Sequence, residues 1–317
     1  MAGTSRRDGW SLGDAPSLDG KVAIVTGATD GVGFETALGL ARRGATTILA
    51  GRNAGKGSDA LVRIGRLLAA PNVRFELLNL ASLASIERFA GRIDESFGTV
   101  DILVNNAGVM ALPVRTLTED GFEQQIGVNH LGHFALTGRL KAALERAGGS
   151  ARVVTVASLA HRRVSLDLDD LQSERHYAPM LAYRRSKLAN LMFAIELQRR
   201  AVQHGWKLAS IAAHPGWART NIIPAGMGSA GASLKTRAMG LLFGAVAQPA
   251  RDAALPSLYA AMAPQARAGA YYGPSGPGET RGPPAAAIIS PQAADPVMAS
   301  RLWSASESLT GVGYETR

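Results

Sequence analysis

Two side chains in this sequence are spaced for shared proton chemistry. Tyr183 and Lys187 are separated by Arg184, Arg185 and Ser186, and positions i and i+4 are neighbours on the surface of a helix. A free tyrosine titrates near about 10, too high for a good base at neutral pH. A positive charge beside it favours the phenolate. The spacing therefore predicts a phenol that serves as general acid or base, with an ammonium next to it. An ordinary helix surface explains the pair better when it stands alone, so the rest of the chain has to decide.

The elements that must position this pair alternate in type. Val22 to Thr26 is a short β-branched run that reads as a buried strand. It leads directly into Thr26-Gly27-Ala28-Thr29-Asp30-Gly31-Val32-Gly33 and then a helical pattern through Arg43. Strand, glycine turn and helix make a phosphate cradle. Glycines let the backbone approach a pyrophosphate, and the helix N-terminus offers free N–H groups and a positive dipole. The spacing is G-x-x-x-G-x-G and not the G-x-G-x-x-G of the general dinucleotide fingerprint, so a structural Gly-rich turn stays open as an alternative.

The pattern then predicts a strand at 45–50, a helix at 54–69, a strand at 73–78, a helix at 83–97 and a strand at 100–104. A long helix over 119–147 follows, and then a strand from Arg152 to Val156. Such alternation means an α/β fold: a doubly wound Rossmann sheet, mostly parallel, with helices on both faces and ligands at the carboxyl ends of the strands. Asn105-Asn106-Ala107-Gly108 ends the fourth strand at that edge, the long helix carries Asn129, and the fifth strand delivers Ser158.

Composition narrows the function. With 317 residues, 46% of them hydrophobic, the chain can bury a sizeable core. It has no cysteine, which excludes disulfides, Cys-ligated zinc and thiol chemistry and fits a reducing, cytoplasmic setting. The N-terminus, Met1-Ala2-Gly3-Thr4-Ser5-Arg6-Arg7-Asp8, has no apolar run behind its arginines, so no signal peptide is expected. The strongly apolar stretch Met239 to Ala247 falls far short of the roughly 20 residues a spanning helix needs. No integral membrane segment is expected, which leaves peripheral membrane contact open. The net charge of +9 is scattered, with only pairs such as Arg6-Arg7, Arg162-Arg163 and Arg199-Arg200. That argues against a nucleic-acid partner and is better matched to a phosphorylated cofactor or an acidic membrane surface.

Residues 1–19 read as an N-terminal arm and residues 20–317 as a single domain. The arm holds Gly9-Trp10-Ser11-Leu12-Gly13, which matches a hydrolase nucleophile elbow in letters but lacks the strand before the serine and the helix after it.

In that order, Thr26-Gly27-x-x-x-Gly31-x-Gly33, Asn105-Asn106-Ala107-Gly108, Asn129, Ser158 and Tyr183-x-x-x-Lys187 resemble the short-chain dehydrogenase/reductase family. The resemblance runs from about residue 20 to the C-terminus. His214-Pro215-Gly216 with Thr220-Asn221, Tyr271-Tyr272-Gly273-Pro274 and Trp303-x-x-Ser306-Glu307-x-Leu309-Thr310-Gly311 are similar to its retinol dehydrogenase-like branch. It implies an oxidoreductase that transfers a hydride between NADP(H), with NAD(H) as the alternative, and a small-molecule alcohol or carbonyl, lipophilic in character.

By the same resemblance Tyr183 is the acid/base, Lys187 lowers its pKa and binds the nicotinamide ribose, Ser158 holds the carbonyl oxygen, and Asn129 supports a relay water. Ser158 and Tyr183 can both donate to the oxygen on which charge develops, while the cofactor supplies the hydride. Cofactor contacts are expected from Thr26, Gly27, Thr29, Asp30, Gly31, Val32, Gly33, Arg52, Asn53, Asn79, Leu80, Asn106, Ala107, Gly108, Tyr183, Lys187, Pro215, Gly216 and Thr220. A homo-oligomer is compatible with this reading.

Some features depart from the family pattern or complicate it. Leu78-Asn79-Leu80 stands where an Asp usually meets the adenine amino group; the Asn79 amide oxygen can accept the same bond. Ser158 and Tyr183 are separated by 24 residues that include Asp167, Asp169 and Asp170, read as a surface excursion beside the site. After the second strand the chain reads Gly51-Arg52-Asn53, where an NAD enzyme would place a carboxylate. A guanidinium there suits a 2′-phosphate, with Asp30 as a mild counter-signal. His130 and His133 have metal-compatible spacing but no third ligand nearby, so no metal is expected. Residues 217–248, where the family places a substrate lid, carry Leu234, Met239, Leu241, Leu242, Phe243 and Val246; these either line an apolar pocket or pack a helix. Asp295, Pro296 and Gly311 bound a last, structural helix. Two other functions compete: a catalytically silent NADP(H)-binding regulator, which would not need the full Asn129, Ser158, Tyr183, Lys187 set, and a serine hydrolase.

Overall fold

The structure is a computed structural model that describes residues 9–218 and 247–315. Eight strands form one sheet: β1 (Val22–Thr26), β2 (Thr46–Gly51), β3 (Val73–Leu77), β4 (Ile102–Asn105), β5 (Ala151–Val156), β6 (Leu208–Ala213), β7 (Tyr271–Pro274) and β8 (Pro284–Ala286). Their order is β3-β2-β1-β4-β5-β6-β7-β8, parallel throughout except for β8, which runs antiparallel to β7. Strand order reverses between β1 and β4, and the crevice at that switch point is where such sheets bind ligands.

Alternation along the strands explains the layers. Ile24, Ile48, Leu103 and Val153 enter one core with Phe89 and Phe134, whereas Val25, Leu49, Val104 and Val154 enter a second with Phe34, Leu38 and Leu258. Successive side chains point to opposite faces, so a sheet covered on both sides requires near-continuous apolar strands.

The early helices start on side-chain caps. Asp30 accepts from Gly31 N at 2.8 Å and opens α1 (Gly31–Arg42). Asn53 accepts from Lys56 N and opens α2 (Ala54–Leu67), and Ser82 opens α3 (Leu83–Phe97), which Gly98 ends in the left-handed region. The predicted strands and helices up to residue 105 are present, with ends shifted by at most two residues.

The helix expected over 119–147 is broken instead. It consists of α4 (Gln124–Ile126), a π-helical turn (Gly127–Leu131), α5 (Gly132–Arg139) and α6 (Lys141–Glu145). Buried Glu123 causes the late start, because its carboxylate accepts from Gln125 N and Ile126 N and so caps the helix there. Two glycines permit the wide turn: a β-carbon at Gly127 would lie 2.6 Å from Thr118 Cγ2, and one at Gly132 would lie 2.5 Å from the Leu80 carbonyl oxygen. Periodicity could not show this, since a π turn keeps helical dihedrals and changes only the bonding.

The segment between Ser158 and α7 (Pro179–His204) is not merely a surface excursion. Val164, Leu166 and Leu171 are buried against Leu188 and Met192 of α7 and against Leu302. Its aspartates make turns: Asp167 accepts from Asp169 N, and Asp170 accepts from Glu174 N and Arg175 N. Two helices, α8 (Ala250–Ala253) and α9 (Leu255–Met262), follow. The final helix, α10 (Pro296–Thr310), is capped by Asp295 and closed by Gly311, as its sequence predicts.

Near the N-terminus, Trp10 packs edge-on against Tyr259 with ring centroids 5.4 Å apart, and Leu18 is buried. Ser11 caps a single 3₁₀ turn over Leu12–Asp14, and no strand precedes it among the described residues. The hydrolase-like letters therefore encode a turn.

Candidate active site

The end of β1 is a hydrogen-bond junction. Thr26 Oγ1 accepts from the N–H groups of Asn106 and Ala107, each at 2.9 Å, and the Asn106 amide donates to the Thr26 carbonyl. Gly27 and Gly31 both have positive φ, +65° and +58°. A β-carbon at Gly27 would lie 2.9 Å from Ala107 Cα, and one at Gly33 would lie 2.4 Å from the Asn106 side chain. These glycines thus bring β1, the loop after β4 and the start of α1 into close contact. The first-turn N–H groups of α1 lack intrahelical acceptors, so the resulting hollow suits a pyrophosphate.

The π turn brings Asn129 against the loop after β4. Its side chain accepts from Val109 N and donates to Val109 O, and it also donates to Ser186 Oγ at 2.9 Å. Ser186 Oγ in turn donates to the Tyr183 carbonyl. His133 anchors the other side of the turn. Its Nδ1 lies 2.9 Å from the Asn129 carbonyl, which only accepts, so Nδ1 carries the proton. Nε2 then accepts from Thr26 Oγ1 at 2.9 Å. Burial holds this imidazole neutral, with a pKa lowered to about 4. His130 points elsewhere, to Ser306 of α10. The two histidines therefore face different partners.

Ser158 follows just after β5 and caps a short turn over Leu159–His161, accepting from Ala160 N. Its hydroxyl is near enough to the Tyr183 phenol to draw its pKa down. The Lys187 ammonium lies 5.9 Å from the centre of the Tyr183 ring and donates to the Val156 carbonyl at 3.0 Å. The i, i+4 pair thus shares one helix face, but the phenol is not depressed. Burial pushes the Tyr183 pKa above the ordinary tyrosine value, against the opposing pull of the Ser158 hydroxyl. Burial also lowers Lys187 to about 8. Desolvation disfavours the charged form of both groups, so Tyr183 is a protonated phenol at neutral pH while Lys187 still carries its proton there. A β-carbon at Gly108 would sit 3.1 Å from Asn129 Oδ1 and 3.6 Å from Lys187 Nζ. That glycine lets the loop after β4 pass close to both residues.

A sequence profile of the family described as short chain dehydrogenase matches residues 21–225. The chain belongs to the short-chain dehydrogenase family. It is 42% identical over 299 residues to human retinol dehydrogenase 13, covering 93% of this chain and 86% of that protein. Among solved structures, an uncharacterized protein of Mycobacterium Paratuberculosis superposes with a TM-score of 0.79 at 38% identity, covering 97% of this chain and 100% of the other. A protein of Beutenbergia cavernae described as an NAD(P) dependent gluconate 5-dehydrogenase, with bound NADP, superposes with a TM-score of 0.60 at 25% identity over 78% of this chain and 91% of its own. As a member of this family the protein is an NAD(P)-dependent oxidoreductase acting on alcohol and carbonyl groups.

The remaining sequence-expected contacts of this short-chain dehydrogenase fall into distinct places. Thr29 lies beside the end of β2, 3.4 Å from where a β-carbon on Gly51 would be. Arg52 is exposed just beyond β2 and makes no hydrogen bond or ion pair among the described residues. Asn53 uses its side-chain oxygen to cap α2. Asn79 is partly engaged: its oxygen accepts from Ala81 N and its amide donates to Glu119. One lone pair of that oxygen is left for an adenine amino group. Leu80 is buried and offers only backbone. Val32 is buried within α1, and Asp30 is both the cap of α1 and 3.9 Å from Arg63. Pro215 O accepts from the Gln248 amide, and Gly216, with φ +63°, donates to His214 Nδ1. Thr220 and the apolar residues Leu234, Met239, Leu241, Leu242, Phe243 and Val246 lie outside the described residues.

Sequence reasoning missed several residues that hold this site. Ser186 was visible only as a letter inside the Tyr-Lys spacing; a serine within a helix whose hydroxyl returns to a carbonyl three residues back is the signal. Gln125 accepts from Ala111 N and donates to Tyr177 Oη and Pro179 O, and Tyr177 donates to Leu112 O. These bonds tie the start of α7 to the loop after β4. Glu279 accepts from His214 Nε2 at 2.9 Å and from Ile288 N, and it pairs with Arg162 at 2.7 Å. These bonds hold its carboxyl at a pKa of about 2 despite the opposing effect of burial. Nothing in the spacing of positions 162, 214 and 279 announces that meeting.

Proposed function

We propose that this enzyme prefers NADP(H) and interconverts a lipophilic alcohol and its carbonyl, with Tyr183 as proton donor and acceptor. The observation that carries the reading is the buried Tyr183 phenol with the Ser158 hydroxyl near it and Lys187 on the same helix face. Two hydroxyls converge where a carbonyl oxygen can sit, and either can donate to it as charge builds. The bound cofactor supplies or takes the hydride. Lys187 orients the ribose, and Asn129 holds the loop that carries Gly108. Cofactor preference rests on Arg52, whose guanidinium stands exposed just before the N-terminus of α2. A 2′-phosphate there meets a bidentate donor and a positive helix end together.

Lipophilicity is supported by the name of the human relative, since retinol is an apolar alcohol, and by exposed Val114 and Met180 on the segments joined by Gln125 and Tyr177. Among the described residues no helix is long and apolar enough to cross a membrane. Cytoplasmic residence, with peripheral membrane contact through the apolar rim, belongs to the same proposal and is compatible with the cysteine-free composition.

The test is NADPH oxidation against aldehydes of increasing alkyl length. Each buried methylene contributes about 0.8 kcal/mol, or about fourfold in kcat/KM. A flat series counts against the lipophilic substrate. NADPH binding without turnover of any carbonyl favours the silent regulator.

A further inference from the structure

We propose that Arg184 is a positioning residue, whose guanidinium holds the turn carrying Ser158 against the helix turn carrying Tyr183. The proposal rests on the reading of Ser158 and Tyr183 given above. The 3₁₀ turn over Leu159–His161 is a single turn, so the carbonyls at its end have no following helix to take them up. Arg184 supplies the missing donors. Its Nε donates to Ala160 O at 3.3 Å, and one terminal nitrogen donates to Arg162 O at 2.6 Å and to Arg163 O at 2.8 Å. Three backbone oxygens from four consecutive residues thus converge on one planar cation.

The backbone there needs such a clamp. Arg163 has φ +54°, a conformation unfavourable for a long side chain, and strained residues persist only where their surroundings over-determine them. His161 fastens the same turn from inside. Its Nδ1 donates to the Ser158 carbonyl at 2.7 Å, and its ring is buried against Tyr271. Arg184 is the direct covalent neighbour of Tyr183. A shift of the serine turn relative to α7 therefore moves Ser158 away from Tyr183 unless Arg184 resists it. Lysine cannot replace it, because a single ammonium presents a point charge and not a planar fork.

The test compares R184M, R184K, S158A and the double variant S158A/R184M for kcat with a carbonyl substrate and for NADPH dissociation constant. R184M should lower kcat about 10- to 100-fold, because a displacement near 1 Å is enough for that, while NADPH affinity stays within about twofold. R184K should recover only part of the loss. On the S158A background R184M should lower kcat by less than about twofold, because residues acting through one contact are not additive. Wild-type kcat in R184M, full recovery in R184K, or an undiminished penalty on the S158A background each overturns the proposal. If R184M does not fold, shown by loss of NADPH binding, the R184K comparison decides. Failure of the underlying reading is separately visible: S158A alone would then keep wild-type kcat.

Discussion

Asn129 donates its side-chain amide to Ser186 Oγ across 2.9 Å, and that hydroxyl donates to the Tyr183 carbonyl at 2.8 Å. The π turn and α7, far apart in sequence, are thereby joined at the residue that presents the phenol. Both Asn129 and Ser186 are fully buried, so neither bond is exchanged for water without cost.

Ser186→Ala removes the hydroxyl while keeping the helix. Losing a buried hydrogen-bond partner costs about 1–3 kcal/mol, and the expected result is a lower urea midpoint together with reduced kcat at unchanged NADPH affinity. Unchanged stability and kcat would show that the Asn129–Ser186 bond positions nothing.

Tyr183→Phe deletes only the group that exchanges the proton. Turnover should fall by about 10²–10⁴-fold, the usual contribution of general acid–base catalysis, with the NADPH dissociation constant retained. Activity within about tenfold of wild type would sink the role given to this phenol.

Arg52→Asp places a carboxylate where a 2′-phosphate is expected to sit. The wild type should favour NADPH over NADH, and the variant should reverse that order. Measuring kcat/KM for both cofactors on both proteins decides it. A wild type that prefers NADH refutes the preference, and an unchanged ratio in the variant removes Arg52 from the phosphate site.

Acid should destabilise the fold through its buried histidines. Burial lowers His130 to about 3 and His133 to about 4 from an ordinary 6.5, and it also lowers His161 and His214. Above pH 6.5 folded and unfolded chains are alike at these sites. As pH falls below it, the unfolded chain takes up protons that the folded chain refuses, so stability drops with decreasing pH. His130 and His133 alone give a slope of roughly 2 to 3 kcal/mol per pH unit between pH 6 and 5. Denaturant midpoints that stay flat from pH 7.5 to 5 would contradict the burial of these rings as neutral species.

By resemblance to the family the sequence pointed to Asn129, Ser158, Tyr183 and Lys187 as a set; by itself it determined the α/β architecture and the glycine turn after β1. The reason is that these signals are local. Strand and helix periodicity depend on which face of a single element is apolar, and caps such as Asn53, Ser82 and Asp295 lie next to the helices they start. What only the tertiary structure decided depends on groups that meet from distant positions. The break in the helix around Asn129 goes with the close approach of Thr118 and Leu80 that Gly127 and Gly132 allow. The packing of the segment after Ser158 comes from apolar residues that meet α7 and α10. The protonation of the central pair was likewise not local. Spacing places Lys187 beside Tyr183, but burial from several elements raises the phenol and lowers the amine, because the cost of a buried charge is set by everything that excludes water from it.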